Sequence, residues 1–391
     1  MSPTSKRRIA ALVAPAFALL GAVGGANAQA GKALVPVPAA TVALMSARDT
    51  DTNAPILIRS FKKESELEVW KLTRSGRYVL LKTFPICRWS GQLGPKQKQG
   101  DRQAPEGFYA VASRQMNPNS AYHLSFDLGY PNAYDRFHGG TGSYLMTHGI
   151  CSSMGCYAMT NGQISEIYAL ARDALAGGQR AFQFQAYPFR MTAQNMARAR
   201  AETHIAFWRQ LKEGYDRFEA TGEELQVGVS AAGQYTFAPS RSPTREAAAQ
   251  ARLKGETDKV AALVEDGVAG IKVTYSDGGM HPSFAALYRT GALADGVSRP
   301  EALALAGREV VQIPARKKAP LPPVMVARNE FRMVPVGFGP QAGGLPVLFA
   351  RLPLSPASDI STAPAMRGSV ASILSAAFVT PTAARLALKG A

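Results

Sequence analysis

A histidine, a pair of serines and a cysteine preceded by glycine share one short stretch, His148-Gly149-Ile150-Cys151-Ser152-Ser153-Met154-Gly155-Cys156-Tyr157. These residue types suit nucleophilic chemistry at sulfur. Cysteine attacks as the thiolate, so it needs a base or a positive local field, and an imidazole supplies either near neutral pH. In the simplest arrangement His148 takes the Cys156 proton, the thiolate attacks a carbonyl carbon, and backbone amides around Gly155 and Cys156 hold the developing oxyanion. Ser153 is then expected to order the loop by bonding local backbone rather than to attack. Two other readings use the same residues. One is a zinc set of His138, His148, Cys151 and Cys156, although its spacing is not that of familiar zinc modules. The other is a buried histidine beside inert thiols.

The elements around this stretch must bring the two side chains together. A strand over Ser143–His148 delivers His148 at its end, and a tight loop then returns to Cys156. Thr160-Asn161-Gly162-Gln163 has the pattern of a capping box, and Ile164, Ile167, Tyr168 and Ala171 follow at helical spacing. The helix therefore starts just after the cysteine, where its free amides and dipole would favour thiolate. Upstream, Ile56–Phe61, Glu66–Leu72 and Tyr78–Phe84 are β-rich, with Ser75-Gly76 as a turn between the last two; further strands are predicted over Gly107–Ala112, Ala121–Phe126 and Ala181–Tyr187. Such regular spacing predicts a mainly β fold with α-helices (α+β), an antiparallel sandwich or barrel rather than a parallel sheet. Helices are expected over 192–202 and 205–218, with a small β pair near 225–229 and 234–237. A longer helix over Pro243–Val264 has Ser242 as its cap and Pro243 in its first turn.

The chain of 391 residues opens with Lys6, Arg7 and Arg8, an apolar run to Gly24, and Ala26-Asn27-Ala28. That is the pattern of a cleavable export signal cut after Ala28. The run is shorter than the ~20 residues that span a bilayer, and no later segment reaches that length, so no stable membrane span is expected after cleavage. Export to the periplasm exposes thiols to oxidation, and three cysteines leave at least one unpaired or joined to another molecule. We expect Cys156 to stay free while Cys87 and Cys151 pair; three separate thiols is the alternative. The net charge of +16 is dispersed, with no nucleic-acid signature. It fits either attraction to an anionic polymer or membrane surface, or simple solubility. The sequence divides into a signal (1–28), a linker rich in Ala, Pro, Val and Thr (29–54), a catalytic domain (55–188), a helical extension with a small β pair (189–240) and an Ala/Pro-rich region (241–391), unstructured or weakly ordered from Arg316 onward.

The stretch resembles the catalytic signature of the L,D-transpeptidase family (YkuD-type), a His-Gly followed by Ser-x-Gly-Cys, which stands here as His148-Gly149 and Ser153-Met154-Gly155-Cys156. Ala104-Pro105-Glu106-Gly107-Phe108-Tyr109 is similar to the family's strand entry. The YafK-like branch is resembled through Ile86-Cys87-Arg88-Trp89-Ser90-Gly91, Met116-Asn117-Pro118-Asn119-Ser120, Gly129-Tyr130-Pro131-Asn132-Ala133-Tyr134-Asp135-Arg136 and Gly155-Cys156-Tyr157-Ala158-Met159-Thr160. The likeness runs from about Pro55 to Phe237. It implies Cys156 as nucleophile, His148 as base and later acid, and the Gly149 main chain orienting the imidazole in place of a carboxylate. The implied substrate is a peptidoglycan stem peptide, opened through a thioester with loss of D-alanine. An amine acceptor then yields a crosslink or attaches a lipoprotein; water yields hydrolysis, and release of a wall-linked lipoprotein by the same site is the alternative. No cofactor or metal is implied. Many family members carry an arginine two positions after the cysteine, where this chain has Ala158, and their His-to-Cys loop is often longer. Tyr134, Asp135, Arg136 and Tyr157 are therefore the expected replacement substrate contacts, ordinary loop packing being the other account of them. A noncatalytic wall-binding module is the competing class of function.

Overall fold

The computed structural model describes residues 31–293, 296–305 and 307–313, and the backbone of 332–335 and 349–352. The predicted export signal lies outside these residues, as does most of the stretch from Arg316 onward. The chain divides into two compact units, Met1–Ala319 and Pro320–Ala391. In the second, the described residues are the antiparallel strands Arg332–Pro335 and Phe349–Leu352.

The stretch read as a linker is partly ordered. Ala39–Ala47 forms helix α1, with Thr41 and Met45 buried, because its apolar side chains find a surface on the catalytic domain. Thr41 Oγ1 donates to Glu166 Oε1 at 2.5 Å, and Arg172 Nη1 donates to the Ala33 carbonyl at 2.6 Å. Strands β1 (Ile56–Phe61), β2 (Glu66–Leu72) and β3 (Tyr78–Pro85) follow as an antiparallel meander, then β4 (Arg88–Trp89), β5 (Gly107–Ala112), β6 (Met116–Asn117) and β7 (Ser125–Asp127). A short helix α2 (Ala133–Phe137) precedes β8 (Met146–His148) and β9 (Tyr157–Ala158); helix α3 (Asn161–Ala176) then leads to β10 (Ala181–Tyr187).

These strands make two five-stranded sheets, β3-β2-β1-β10-β5 and β4-β9-β8-β7-β6. The expectation of a mainly β fold with helices is met, and most strand pairs of the two sheets are antiparallel; within them β1 runs parallel to β10, and β8 runs parallel to β9. Helix α3 returns the chain to β10 beside β1, whereas the loop of residues 149–156 alone carries it from β8 to β9. The sheets meet through aromatic side chains. Phe126 of β7 packs edge-on against Phe182 of β10 with centroids 5.4 Å apart, and Tyr157 lies 5.7 Å from Phe184. Each such buried ring contributes on the order of 2 kcal/mol.

The other face of the first sheet is covered as well. Helices α4 (Ala193–Arg198) and α5 (Ile205–Thr221) follow β10, and α5 sets Phe218 edge-on against Trp70 of β2 and Tyr215 against Phe61 of β1. That double cover explains why every residue of β1 is buried. It also buries Arg59, which pairs with Glu219 at 2.7 Å. The small pair β11 (Val227–Val229) and β12 (Tyr235–Phe237) is followed by α6 (Pro243–Glu265), capped by Ser242 as predicted, then β13 (Gly270–Thr274), α7 (Pro282–Arg289) and β14 (Arg308–Ile313). The region from 241 onward is therefore ordered well beyond α6. Val273 ties this part to the body by donating its N–H to Glu202 Oε1 at 3.0 Å, and Gly279 bridges to Trp89.

Candidate active site

His148 ends β8, and Cys156 stands one position before β9, whose Tyr157 lies opposite Thr147 in the parallel ladder. Continuing that register sets Cys156 beside Met146, and the Met146 N–H donates to Cys156 Sγ at 3.4 Å. Because side chains alternate across a strand, Met146, His148 and Cys156 share one face while Thr147 and Tyr157 turn to the other. The first face opens into a cleft of about 250 Å³ lined by Tyr122, Tyr144, Met146, His148, Met154 and Cys156. The second is core: Tyr157 is buried and donates its hydroxyl to the Pro105 carbonyl at 2.6 Å.

The loop between the two residues is tied at each turn. Gly149 N–H bonds the Tyr122 carbonyl at 3.0 Å, and a side chain at Gly149 would meet Asn161 Oδ1 at 2.6 Å and the Tyr122 carbonyl at 2.9 Å. Ile150 takes φ +62°, a left-handed conformation unfavourable for a β-branched residue. Its N–H is held by Asn161 Oδ1 at 3.1 Å, from the first turn of α3. Cys151 is joined to Cys87 in a disulfide, with Cα atoms 5.3 Å apart, leaving Cys156 as the free cysteine. Gly155 adopts φ +124°, which L side chains rarely do.

Ser153 organises the end of the loop. Its Oγ accepts the N–H groups of Gly155 at 3.3 Å and Cys156 at 3.1 Å, donates to the Cys156 carbonyl at 2.7 Å, and sits 2.9 Å from Ser90 Oγ. This is the structural role expected of it. It also corrects the expected oxyanion site: both amides assigned to that task are taken by Ser153 in this state.

His148 Nδ1 lies 2.5 Å from the Gly149 carbonyl. A carbonyl only accepts, so Nδ1 carries the hydrogen and Nε2 is the basic nitrogen. Tyr122 packs against the imidazole at a tilt of 41°, centroids 4.7 Å apart. Burial pushes the imidazole below its ordinary value, against the opposing pull of the Gly149 carbonyl. Burial likewise pushes the Cys156 thiol up to about 11, the Met146 N–H opposing it. The resting pair is therefore neutral thiol and neutral imidazole. The thiolate-stabilising helix terminus expected from the sequence is corrected here: Sγ contacts Met146 N–H and, at 4.0 Å, the Tyr144 carbonyl. The α3 N-terminus is closed by its own capping box of Thr160 and Gln163 and braces the loop through Asn161.

The other expected contacts lie elsewhere. Tyr134 stacks on Tyr235 with centroids 4.5 Å apart. Asp135 caps α2 and accepts the Tyr109 hydroxyl at 3.1 Å; burial pushes its carboxyl up to about 6, against the Asn132 N–H and that hydroxyl. Both line a neighbouring hollow of about 360 Å³ that shares Lys96 with the cysteine cleft. Arg136 donates to the Pro131 carbonyl and borders a third hollow. The zinc set is not assembled, since Cys151 is in the disulfide and His138 Nε2 bonds the Gly233 carbonyl at 2.9 Å. Sequence reasoning missed Tyr122, Tyr144 and Met154, exposed apolar residues that rim the cleft. Isolated aromatics in turn sequence carry no signal that marks them.

The family model of the L,D-transpeptidase catalytic domain, YkuD, matches residues 61–177. "Putative L,D-transpeptidase YafK" of Escherichia coli K12 is 48% identical over 176 residues, covering 45% of this chain and 71% of that protein, and the protein of the same name in strain O157:H7 matches equally. Among solved structures, the helical cell shape determining protein Pgp2 from Campylobacter jejuni aligns over 60% of this chain and 80% of its own, at 14% identity and a TM-score of 0.28. Bdellovibrio bacteriovorus Bd1075 aligns over 56% and 75%, at 15% identity and a TM-score of 0.26.

Proposed function

Because this chain belongs to the L,D-transpeptidase catalytic-domain family, we propose that it is an exported, periplasmic cysteine L,D-transpeptidase acting on peptidoglycan stem peptides in cell-wall crosslinking or remodelling. The observation that carries this reading is the placement of Cys156 and His148 on one face of the β8–β9 ladder, open to one cleft, with Nδ1 of the imidazole committed to the Gly149 carbonyl.

In this reading His148 Nε2 removes the Cys156 proton as sulfur attacks the carbonyl carbon of the third stem residue. The tetrahedral intermediate collapses with cleavage of the amide bond; D-alanine leaves with the proton returned by the imidazolium, and the acyl group stays on sulfur as a thioester. An incoming amine then gives its proton to His148 and takes the acyl group, restoring the thiol. A neutral resting pair suits this sequence, because charge separates only once the carbonyl is in place. The raised thiol also protects sulfur from oxidation in an oxidising compartment, since thiolate is the reactive form.

Incubating the protein with defined tetrapeptide muropeptides and an amine acceptor, then weighing the products, tests the reading. Crosslinked product that Cys156→Ser abolishes supports it. Free tripeptide alone would replace it with hydrolysis, release of a lipoprotein from a lipoprotein-linked substrate would make it an amidase, and sacculus binding without any product would leave only a binding module.

A further inference from the structure

The cysteine loop is held from outside the matched catalytic domain. Ser298 Oγ accepts the Ser153 N–H at 3.0 Å and lies 3.4 Å from the Ser153 carbonyl. The same carbonyl accepts from Arg102 Nη2 at 3.2 Å, and Arg102 is itself fixed by Asp277, with Nη2 and Nε at 2.7 and 3.1 Å from Oδ2. Asp277 also takes the Gly91 N–H at 3.0 Å and pairs with Arg299 at 3.3 Å. Arg88 closes the arrangement, donating to the Ser298 carbonyl at 3.1 Å and the Asp277 carbonyl at 2.5 Å. At the other end of the loop, Phe284 packs on the Cys87–Cys151 disulfide, with Met280, Leu293 and Val297 around it.

We propose that Ser298 and Asp277, in the segment following β13, are positioning residues for Cys156: they clamp both backbone groups of Ser153, whose hydroxyl in turn fixes the Cys156 main chain. This rests on Cys156 being the nucleophile. Ser298 and Asp277 both lie beyond residue 177, where the family match ends. Neither residue lines the cysteine cleft, and neither is placed to touch substrate. Holding Ser153 by N–H and carbonyl leaves its hydroxyl one orientation in which it accepts two amides and donates to the Cys156 carbonyl. Loss of the clamp frees the turn that keeps sulfur under cover, so water reaches the thiol.

Two readouts of opposite sign test the clamp in the full chain. Ser298→Ala should raise the rate of Cys156 alkylation by iodoacetamide at pH 8 by about three- to ten-fold, the scale of one lost hydrogen bond, and move the alkylation profile toward that of an ordinary thiol. Turnover of muropeptides should fall by a similar factor in kcat with KM little changed. Asp277→Asn should act in the same direction, Ser298→Thr should restore the parent profile, and Ser298→Ala should add nothing to Ser153→Ala, because it acts through that residue. An alkylation profile unchanged in both Ser298→Ala and Asp277→Asn, or effects of Ser298→Ala and Ser153→Ala that sum, would overturn the clamp. Alkylation needs no peptidoglycan, so a clamp response in a protein without muropeptide turnover would sink the proposed activity and leave the clamp standing.

Discussion

At the level of single residues, the site is a neutral pair whose protons are set by burial rather than by a partner charge. The His148 imidazole is held below its ordinary value, so it is already basic at neutral pH and loses that form only as pH falls through the lowered value. The thiol ionises at about 11. We therefore expect kcat/KM to rise through an acid limb below the usual imidazole range of ~6.5, stay level across neutral pH, and fall only near pH 11; stopped-flow or fixed-time assays across that range measure it, and a narrow bell centred near pH 7 would contradict the neutral pair. His148→Gln should lower kcat by roughly 10²–10⁴, as expected for a lost general base. Gly149→Ala should lower it too, since a side chain there meets Asn161 and the Tyr122 carbonyl and must move the carbonyl that orients the imidazole. The proposed nucleophile and base are singled out in the sequence by residue type together with the family's His-Gly and Ser-x-Gly-Cys pattern, and the φ of +124° at Gly155 gives the physical reason for a glycine at that place in it. The face that each neighbouring side chain takes is not legible there. Tyr157 follows the cysteine directly in sequence, and the alternation of a strand sends it to the opposite face.

Among the elements, α3 and the parallel β8–β9 pair decide where the two side chains stand. The capping box at Thr160 was visible in the sequence because it depends on residues three apart, whereas the parallel pairing was not, because it depends on a return path through space. Thr160→Ala should cost about 1 kcal/mol of stability, read as a lowered thermal midpoint with the disulfide intact. The disulfide ties positions 64 residues apart, a separation at which loss of a crosslink costs roughly 2–4 kcal/mol. The double variant Cys87→Ser/Cys151→Ser should therefore unfold at lower denaturant yet keep one thiol that reacts with Ellman's reagent, the Cys156 thiol. Loss of all reactive thiol in that variant would contradict the assignment of the free cysteine.

Across the whole molecule, the extension beyond Phe237 is the part least readable from sequence. Helix α6 is predicted there from its cap and first-turn proline, but its packing on α5 is not: Lys212 on α5 reaches Asp216 at 2.5 Å and Glu256 of α6 at 3.0 Å. Arg252 of α6 also meets Asp216, at 3.1 Å. Such buried groups depend on partners far apart in sequence, which composition does not reveal. Ending the chain after Ala238 removes Glu256 and Arg252 and leaves Lys212 and Asp216 with fewer partners; breaking a buried ion network costs about 3–5 kcal/mol, so the shortened protein should melt earlier and be cut faster by protease within α5. The account as a whole stands most directly on one covalent intermediate. Intact-protein mass spectrometry of the full chain mixed with a tetrapeptide muropeptide and no acceptor should show a gain equal to the substrate minus D-alanine, mapped by peptide fragmentation to Cys156 and missing in Cys156→Ala; turnover that persists in that variant, or an adduct on another residue, would contradict it.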